Sequence, residues 1–432
     1  RLPPAHAISA DARGLTRTRY WRIDPAHRIR YARDADYEAH LREIFAEAVR
    51  CRLRGTRRVA VMLSGGLDSS CILGQVQTFA EALDSPAAEA FSLTCPGRAC
   101  DESRFVDEVV GRWRPVAHVC PERPLDWVAI AQQEASRYLD VPTYPNSSAA
   151  DPMRVLIRDH RCGVALSGVG GDEWFRGSAS VYADLMRGGR LAALGRRVWQ
   201  DSSGPDFVGW RAAARLTTWP LIPQPMQRFV KAALRRDITP ASVSAGFAGE
   251  TALRRRLGRL DRDWRFADVA RREILCEATS GEAVRALEQI DRSAGWFGFE
   301  ERHPFLDRRL AEFAFAIPPE QHWRGGWPKS LMRRAFRHLL PVSVATRRGR
   351  PDYSHWVIDA VQAHARAGLF ERLITADLGW VEPRPVRRAY DEMIGSGRRG
   401  LKWLWPLWAI CAVEHWARVV FDAPPLAAHA TR

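Results

Sequence analysis

The sequence predicts an α/β fold, a doubly wound parallel sheet with a large helical C-terminal portion. Three observations carry this. The apolar run Val59-Ala60-Val61-Met62-Leu63 breaks into Ser64-Gly65-Gly66 and then opens a helix at Leu67-Asp68-Ser69-Ser70. Short apolar runs bounded by turn signals then alternate with helix-spaced segments, as in a sheet whose strands are buried on both faces. A second small-residue loop, Ser167-Gly168-Val169-Gly170-Gly171-Asp172-Glu173, follows another such run.

In chain order, residues 1–36 read as a charged, irregular connector with an extended piece around Thr16 to Ile23. Tyr37, Leu41, Ile44, Phe45, Val49 and Leu53 recur at helical spacing and predict an amphipathic helix that covers the sheet. Strands are expected at Arg58 to Leu63, Ala90 to Thr94, Pro115 to Cys120 and Gly163 to Ser167. Helices are expected from Leu67, at Ser103 to Trp113 and at Leu125 to Leu139. This divides the chain into a connector (1–36), an α/β core (37–180), a mainly helical insertion (181–295), a helical part completing the site (296–421) and a tail (422–432). The insertion shows a turn at Gly188-Gly189, a Trp- and Pro-rich stretch from Trp199 to Pro220 and a long helical pattern from Leu253 to Leu287. It carries no catalytic motif and is expected to cover the site's mouth.

Small residues ahead of a helix let an anion approach free backbone N–H groups and the positive end of the helix dipole. The first loop is therefore read as a phosphate site. No Gly-Lys-Ser/Thr follows, and the loop itself is not a Gly-x-Gly-x-x-Gly, so neither the common P-loop nor the dinucleotide loop fits. Asp172 and Glu173 of the second loop could face Asp68, or could simply be a solvated helix start.

Composition sets bounds. The 432 residues are too many for one ordinary core, so roughly two or three domains are expected. A net charge of +15 would ordinarily point to nucleic acid. Only Lys231, Lys329 and Lys402 are lysines, however, and the arginines are spread along the chain, so nucleic-acid binding is not expected. Eight cysteines lack metal-ligand pairing; Cys95 and Cys100 come nearest to a zinc knuckle, but no second pair follows. They read as buried thiols of a reducing cytoplasm. The Trp-rich segment from Leu401 to Phe421 holds Lys402, Pro406, Glu414, His415 and Arg418, and so does not read as a membrane span.

Ser64-Gly65-Gly66-Leu67-Asp68-Ser69-Ser70 resembles the pyrophosphate loop of ATP-pyrophosphatases. With Ser167 to Phe175, with Gly298-Phe299-Glu300-Glu301-Arg302-His303-Pro304-Phe305-Leu306-Asp307 and with Lys329-Ser330-Leu331-Met332-Arg333-Arg334-Ala335, it resembles the synthetase domain of the asparagine synthetase family. That family includes β-lactam synthetases and lasso-peptide cyclases. The resemblance implies a sheet of the adenine-nucleotide α-hydrolase type, with ATP and Mg2+ as cofactors. It puts Met62, Leu93, Ser167 and Gly168 at adenine and ribose, and Ser64, Gly65, Gly66, Asp68 and Ser69 at the phosphates. Asp68 and Asp172 would hold the metal. Lys329 would stabilise charge on the acyl-adenylate; it is one of three lysines in an arginine-using chain, and an ammonium is a compact point charge that a guanidinium does not replace. Glu300 is a candidate acid/base, or else a partner of Arg302.

The implied reaction is ATP-dependent amide formation through an acyl-adenylate, with release of AMP and pyrophosphate. The first expectation is a glutamine-hydrolysing asparagine synthetase type. Its partners would be a small-molecule or peptide carboxylate and an amine donor, with a glutaminase-like domain upstream of Arg1. Val169 stands where asparagine synthetases carry glutamate and β-lactam synthetases tyrosine, and it can neither accept a proton nor pair with an amine. Arg347-Arg348-Gly349-Arg350-Pro351-Asp352-Tyr353 resembles Arg-x-x-Lys-x-Asp-Phe of relatives that include the cyclases, with Arg350 replacing lysine. A relative forming an intramolecular amide in a peptide or natural product is therefore the alternative. A catalytically silent binding protein is a third reading.

Overall fold

The computed structural model describes residues 2–56, 58–83, 87–204, 207, 209–223, 226–227, 230, 242–253, 255–256 and 268–421. Its centre is a five-stranded parallel sheet built from β3 (Val59–Met62), β4 (Ala88–Thr94), β5 (Ala117–Pro121), β6 (Val164–Leu166) and β7 (Glu300–Arg302). The spatial order is β5-β4-β3-β6-β7. From β3 the chain first winds outward through β4 to β5, then returns past β3 to add β6 and β7. The direction of winding reverses between β3 and β6, the place in an open α/β sheet where a ligand site is expected.

β3 shows why these residues make a central strand. Val59 and Val61 enter the core on one face and Ala60 enters the core on the other, each fully buried. Helices α1 (Asp34–Arg52), α2 (Leu67–Leu83) and α3 (Ser103–Trp113) cover the first face. There Phe45 packs its ring 4.9 Å from Phe305 and 4.6 Å from Phe336. The opposite face is covered by Met153 and Ile157 of the helix Asp151–Asp159 and by Ala294 at the end of Gly281–Phe297. A separate core joins α4 (Trp127–Tyr138) to the C-terminal helices Ser354–Arg366, Pro383–Gly395 and Leu404–Val420.

Three sequence expectations are corrected. The stretch expected to be irregular contains an antiparallel hairpin of β1 (His6–Asp11) and β2 (Gly14–Arg19). Nearly all its side chains are exposed, so no buried face left an alternating pattern to read. The pattern from Leu253 to Leu287 is not one helix: in its described part, Val269–Ala278 stops before Ser280, whose hydroxyl caps Gly281–Phe297 by accepting from the Ala283 N–H at 3.0 Å. The sheet also gains its edge strand β7 from beyond the helical stretch, where Glu-Glu-Arg offers no apolar signal. The expected tail, 422–432, lies outside the described residues. Among the described residues, no helix is long and apolar enough to cross a membrane.

Asp307 ties two parts of the first core together. It accepts from Arg52 at 2.7 Å, where α1 ends, and from its neighbour Arg309 at 2.9 Å. Burial pushes its carboxyl up, but these hydrogen bonds outweigh burial and hold it at about 2. A carboxylate depressed from about 3.9 in the unfolded chain adds stability above that pH and loses it as the pH falls toward 2. Asp307→Asn should therefore flatten the acid limb of a stability-against-pH curve measured by urea unfolding. Phe336→Ala, which empties a fully buried site, should cost about 3–5 kcal/mol in the same assay at neutral pH.

Candidate active site

The site forms where the winding of the sheet reverses. β3 ends at Met62, and the chain turns through Gly65 at φ +68° before α2 begins at Leu67. A side chain at Gly65 would meet α3, because its Cβ would lie 2.8 Å from the Phe105 Cβ and 2.9 Å from the Val106 N. Ser69 Oγ accepts from the Ser64 N–H at 3.2 Å, and Ser64 Oγ accepts from the Gly66 N–H at 3.3 Å. These bonds shape a cup of small residues at the start of α2, with Asp68 in its first turn.

The loop after β6 closes on that same aspartate. A Cβ at Gly168 would fall 2.8 Å from the Asp68 Cβ, and one at Gly171 would fall 2.5 Å from its carboxyl carbon. Glycine is thus required at both positions for the loops to touch. Gly170 sits at φ +97°, and its N–H donates to Glu173 Oε2 at 3.0 Å, which fixes the turn into Asp172.

Lys329 comes from a third segment, at the N-cap of the helix Ser330–Ala335. Its backbone is left-handed, φ 54° and ψ 32°, a conformation that costs a non-glycine residue about 1–3 kcal/mol. Its N–H donates to the Arg176 carbonyl at 3.2 Å, and the Gly325-Gly326 turn just before it packs Gly326 against Gly204. The ammonium lies 2.5 Å from Asp68 Oδ2 and 2.6 Å from Asp172 Oδ1. Arg350 reaches the same Asp172 oxygen at 2.6 Å.

Burial opposes the charged form of all three groups. At Lys329 the two aspartates outweigh it, so the ammonium is held above its ordinary range. At Asp172, Lys329 and Arg350 outweigh it, and the carboxyl is held down. At Asp68 burial wins, reinforced by the Asp172 charge, and the carboxyl is pushed up despite Lys329. Asp68 Oδ1 is buried and has no hydrogen-bond partner. A carboxylate oxygen in that state is a ready ligand for a hard cation. The two facing carboxylates and the glycine-lined cup therefore fit a magnesium ion bound with phosphate.

A cavity of about 350 Å³ opens over these groups, lined by Ser64, Gly66, Asp68, Asp172 and Lys329. Its far wall was not assigned from sequence. Arg347 pairs with Glu102, which also accepts from the Tyr353 hydroxyl, and the guanidinium stands 4.2 Å from the centre of the Phe105 ring. The Arg347–Tyr353 motif was the available signal for this wall; nothing around Glu102 marked it. Met62 and Leu93 lie near the C-terminal ends of β3 and β4, half-buried against the Phe91 core. Ser167 Oγ is 2.8 Å from His303 Nδ1.

Glu300 is not brought to this site. It pairs with Val164 at the N-terminal end of β7, more than half exposed, and accepts from Arg302 at 2.7 Å. The arrangement observed is the Arg302 pairing, because the first residue of a parallel strand lies at the opposite end of the sheet from the ligand crevice.

A parallel sheet of this order, with glycine loops meeting at its reversal point, is of the adenine-nucleotide hydrolase type. The chain belongs to the asparagine synthase family, whose profile matches residues 40–418. It is 23% identical over 366 residues to asparagine synthetase [glutamine-hydrolyzing] 3 of Bacillus subtilis, covering 81% of this chain and 53% of that protein. It is 28% identical over 188 residues to a putative asparagine synthetase [glutamine-hydrolyzing] 2 of Methanocaldococcus jannaschii, covering 42% and 33%. The chain thus spans about half, or less, of the length of these relatives.

Removing the ammonium strands the Asp68 carboxylate, while Asp172 keeps Arg350. Lys329→Met should cost about 3–5 kcal/mol at pH 8, as when one partner of a buried pair is deleted. The loss should shrink as the pH is lowered, because burial already pushes the Asp68 carboxyl up and favours its neutral form; urea unfolding at pH 8 and at a lower pH reads the difference.

Proposed function

We propose that the chain activates a carboxylate with ATP and joins it to an amine, releasing pyrophosphate and then AMP. The observation that carries this is the Lys329 ammonium held between Asp68 and Asp172, beside an unpartnered Asp68 oxygen, where two glycine loops meet.

In this reading Asp68 and Asp172 hold magnesium, which neutralises charge on the departing pyrophosphate. The cup of Ser64, Gly65, Gly66 and Ser69 binds phosphate oxygens at the start of α2. Met62, Leu93, Ser167 and Gly168 take the adenine and ribose. Lys329 would turn its ammonium from the two aspartates to the charge that builds at the α-phosphorus. The carboxylate oxygen attacks that phosphorus, and the amine then attacks the acyl carbon and expels AMP. Arg350 stays beside Asp172 and keeps it ionised.

The names of the relatives support an asparagine synthetase (glutamine-hydrolysing) type of reaction, with aspartate as the acid. One observation favours a larger substrate instead. A second cavity, of about 600 Å³, shares Asp172, Pro328, Gly349 and Arg350 with the first, and Glu173, Arg176, Glu273 and Glu277 line it. That volume is in the range that accepts ligands well above a single amino acid. A peptide or natural-product acid with its own amine is the second reading.

Pyrophosphate and AMP release, followed with ATP and Mg2+, separates these readings. Aspartate with ammonia or glutamine yielding AMP and asparagine supports the first, and turnover with a peptide carboxylate alone supports the second. No pyrophosphate with any acid, together with no ATP binding, supports a silent binding protein. Asp68→Asn should abolish pyrophosphate release while leaving the circular dichroism spectrum unchanged. Turnover near that of the parent protein would remove Asp68 from the metal role.

A further inference from the structure

The loop after β4 brings together three groups that the ATP reading does not use. Cys95 follows the last residue of the strand. The chain then turns through Gly97 at φ +78°, and the Arg98 N–H donates back to the Cys95 carbonyl at 3.1 Å. Asp101 locks the turn by accepting from the Cys95 N–H at 3.1 Å and from the Ser103 hydroxyl at 2.7 Å. The result sets Cys100 beside Cys95, with both thiols buried. His355, from the first turn of the helix Ser354–Arg366, closes the group, its Nδ1 3.9 Å from Cys100 Sγ. One ligand atom from each of the three residues lies within 4.8 Å of the others.

The imidazole is oriented from behind. Its Nε2 lies 3.1 Å from Glu122 Oε2, and Glu122 is itself held by Arg98 and by the Trp356 indole N–H at 3.0 Å. A carboxylate on the outer ring nitrogen of a histidine whose inner nitrogen faces two thiols is the usual second layer of a metal site, since it fixes the tautomer and raises basicity. Two thiolates and one imidazole are the donors preferred by zinc-like ions. At zinc bond lengths, tetrahedral S···N edges are about 3.6 Å, so the 3.9 Å separation needs only a small contraction.

We propose that Cys95, Cys100 and His355 bind one zinc-class divalent ion, with water as the fourth ligand and Glu122 as the orienting carboxylate. Binding converts two thiols to thiolates and releases two protons. Because those protons must leave, the ion binds more tightly as the pH rises. The ion would pin the loop before α3 to the C-terminal helical core. Glu102 and Tyr353, each two residues from a ligand, form one corner of the ATP cavity, so occupancy would stiffen that corner without touching Asp68.

The test titrates the reduced, chelator-treated full chain with Co2+ and then Zn2+. One equivalent of Co2+ should produce a near-ultraviolet thiolate charge-transfer band and visible bands of tetrahedral intensity, both erased by Zn2+. Glu122→Gln should weaken binding about 10–100-fold, while Asp68→Asn should titrate like the parent chain. Should Cys95→Ser or Cys100→Ser not fold, alkylation of the parent chain by iodoacetamide replaces them, with Zn2+ protecting both thiols in mass spectra. Absence of the charge-transfer band, equal alkylation with and without Zn2+, or a Cys95–Cys100 disulfide that forms unimpeded by stoichiometric Zn2+ would each overturn the assignment.

Discussion

The ammonium of Lys329 lies between two carboxylates from different loops, and much of the architecture can be understood as what it takes to hold it there. Lys329 is separated from Asp68 by 261 residues, and the intervening chain builds most of the sheet and its helical cover. The partners must come close while being buried, because a buried charge is tolerated only when paired. Gly168 and Gly171 let the β6 loop approach Asp68, Gly326 packs closely on Gly204, and the Lys329 N–H is held by the Arg176 carbonyl in a backbone that its own side chain disfavours. The three groups satisfy one another except for one oxygen of Asp68. The triad is thus a preformed charge arrangement in which a protein cation stands where phosphate and metal charge can enter.

The strands at Val59, Ala88 and Val164, and the helix Ser103–Trp113, were readable because a strand buried on both faces must be apolar throughout and an amphipathic helix must repeat its apolar face. β7 escaped because its three residues, Glu300 to Arg302, are polar; the strand is defined by the neighbour it pairs with and not by its own composition. Glu300 became a candidate through its place in the Gly298–Asp307 motif, and the motif alone could not separate that role from the Arg302 pairing observed. The hairpin β1–β2 escaped for the opposite reason, since it buries almost nothing. At the site, Asp68, Asp172 and Lys329 were legible because their chemistry sits in short local motifs. Glu102, which joins Arg347 to Tyr353, was not: an acidic residue ahead of a helix looks the same whether it caps, pairs with a distant arginine or faces water. His355 likewise meets Cys95 and Cys100 only through packing of the C-terminal helices, so no spacing in the sequence announced it.

The arginine excess takes on a structural sense at several points. Arg52 and Arg309 clamp Asp307, Arg302 donates to the Arg52 and Arg54 carbonyls, and Arg333 to those of Pro328 and Ala345. A guanidinium with several donors can join chain segments that a lysine would touch at one point. Where Lys329 stands, a single compact charge must sit between two acids and later move, and there the chain departs from its habit.

The β6 loop also limits how this scaffold can diversify. Ser167 is engaged with His303, Gly168 and Gly171 have no room for a methyl beside Asp68, and Gly170 needs a backbone that L residues avoid. Val169 is half-buried and meets none of these restrictions. Between Ser167 and Gly171 the loop is therefore least constrained at Val169, where a new side chain would leave the glycines around Asp68 in place.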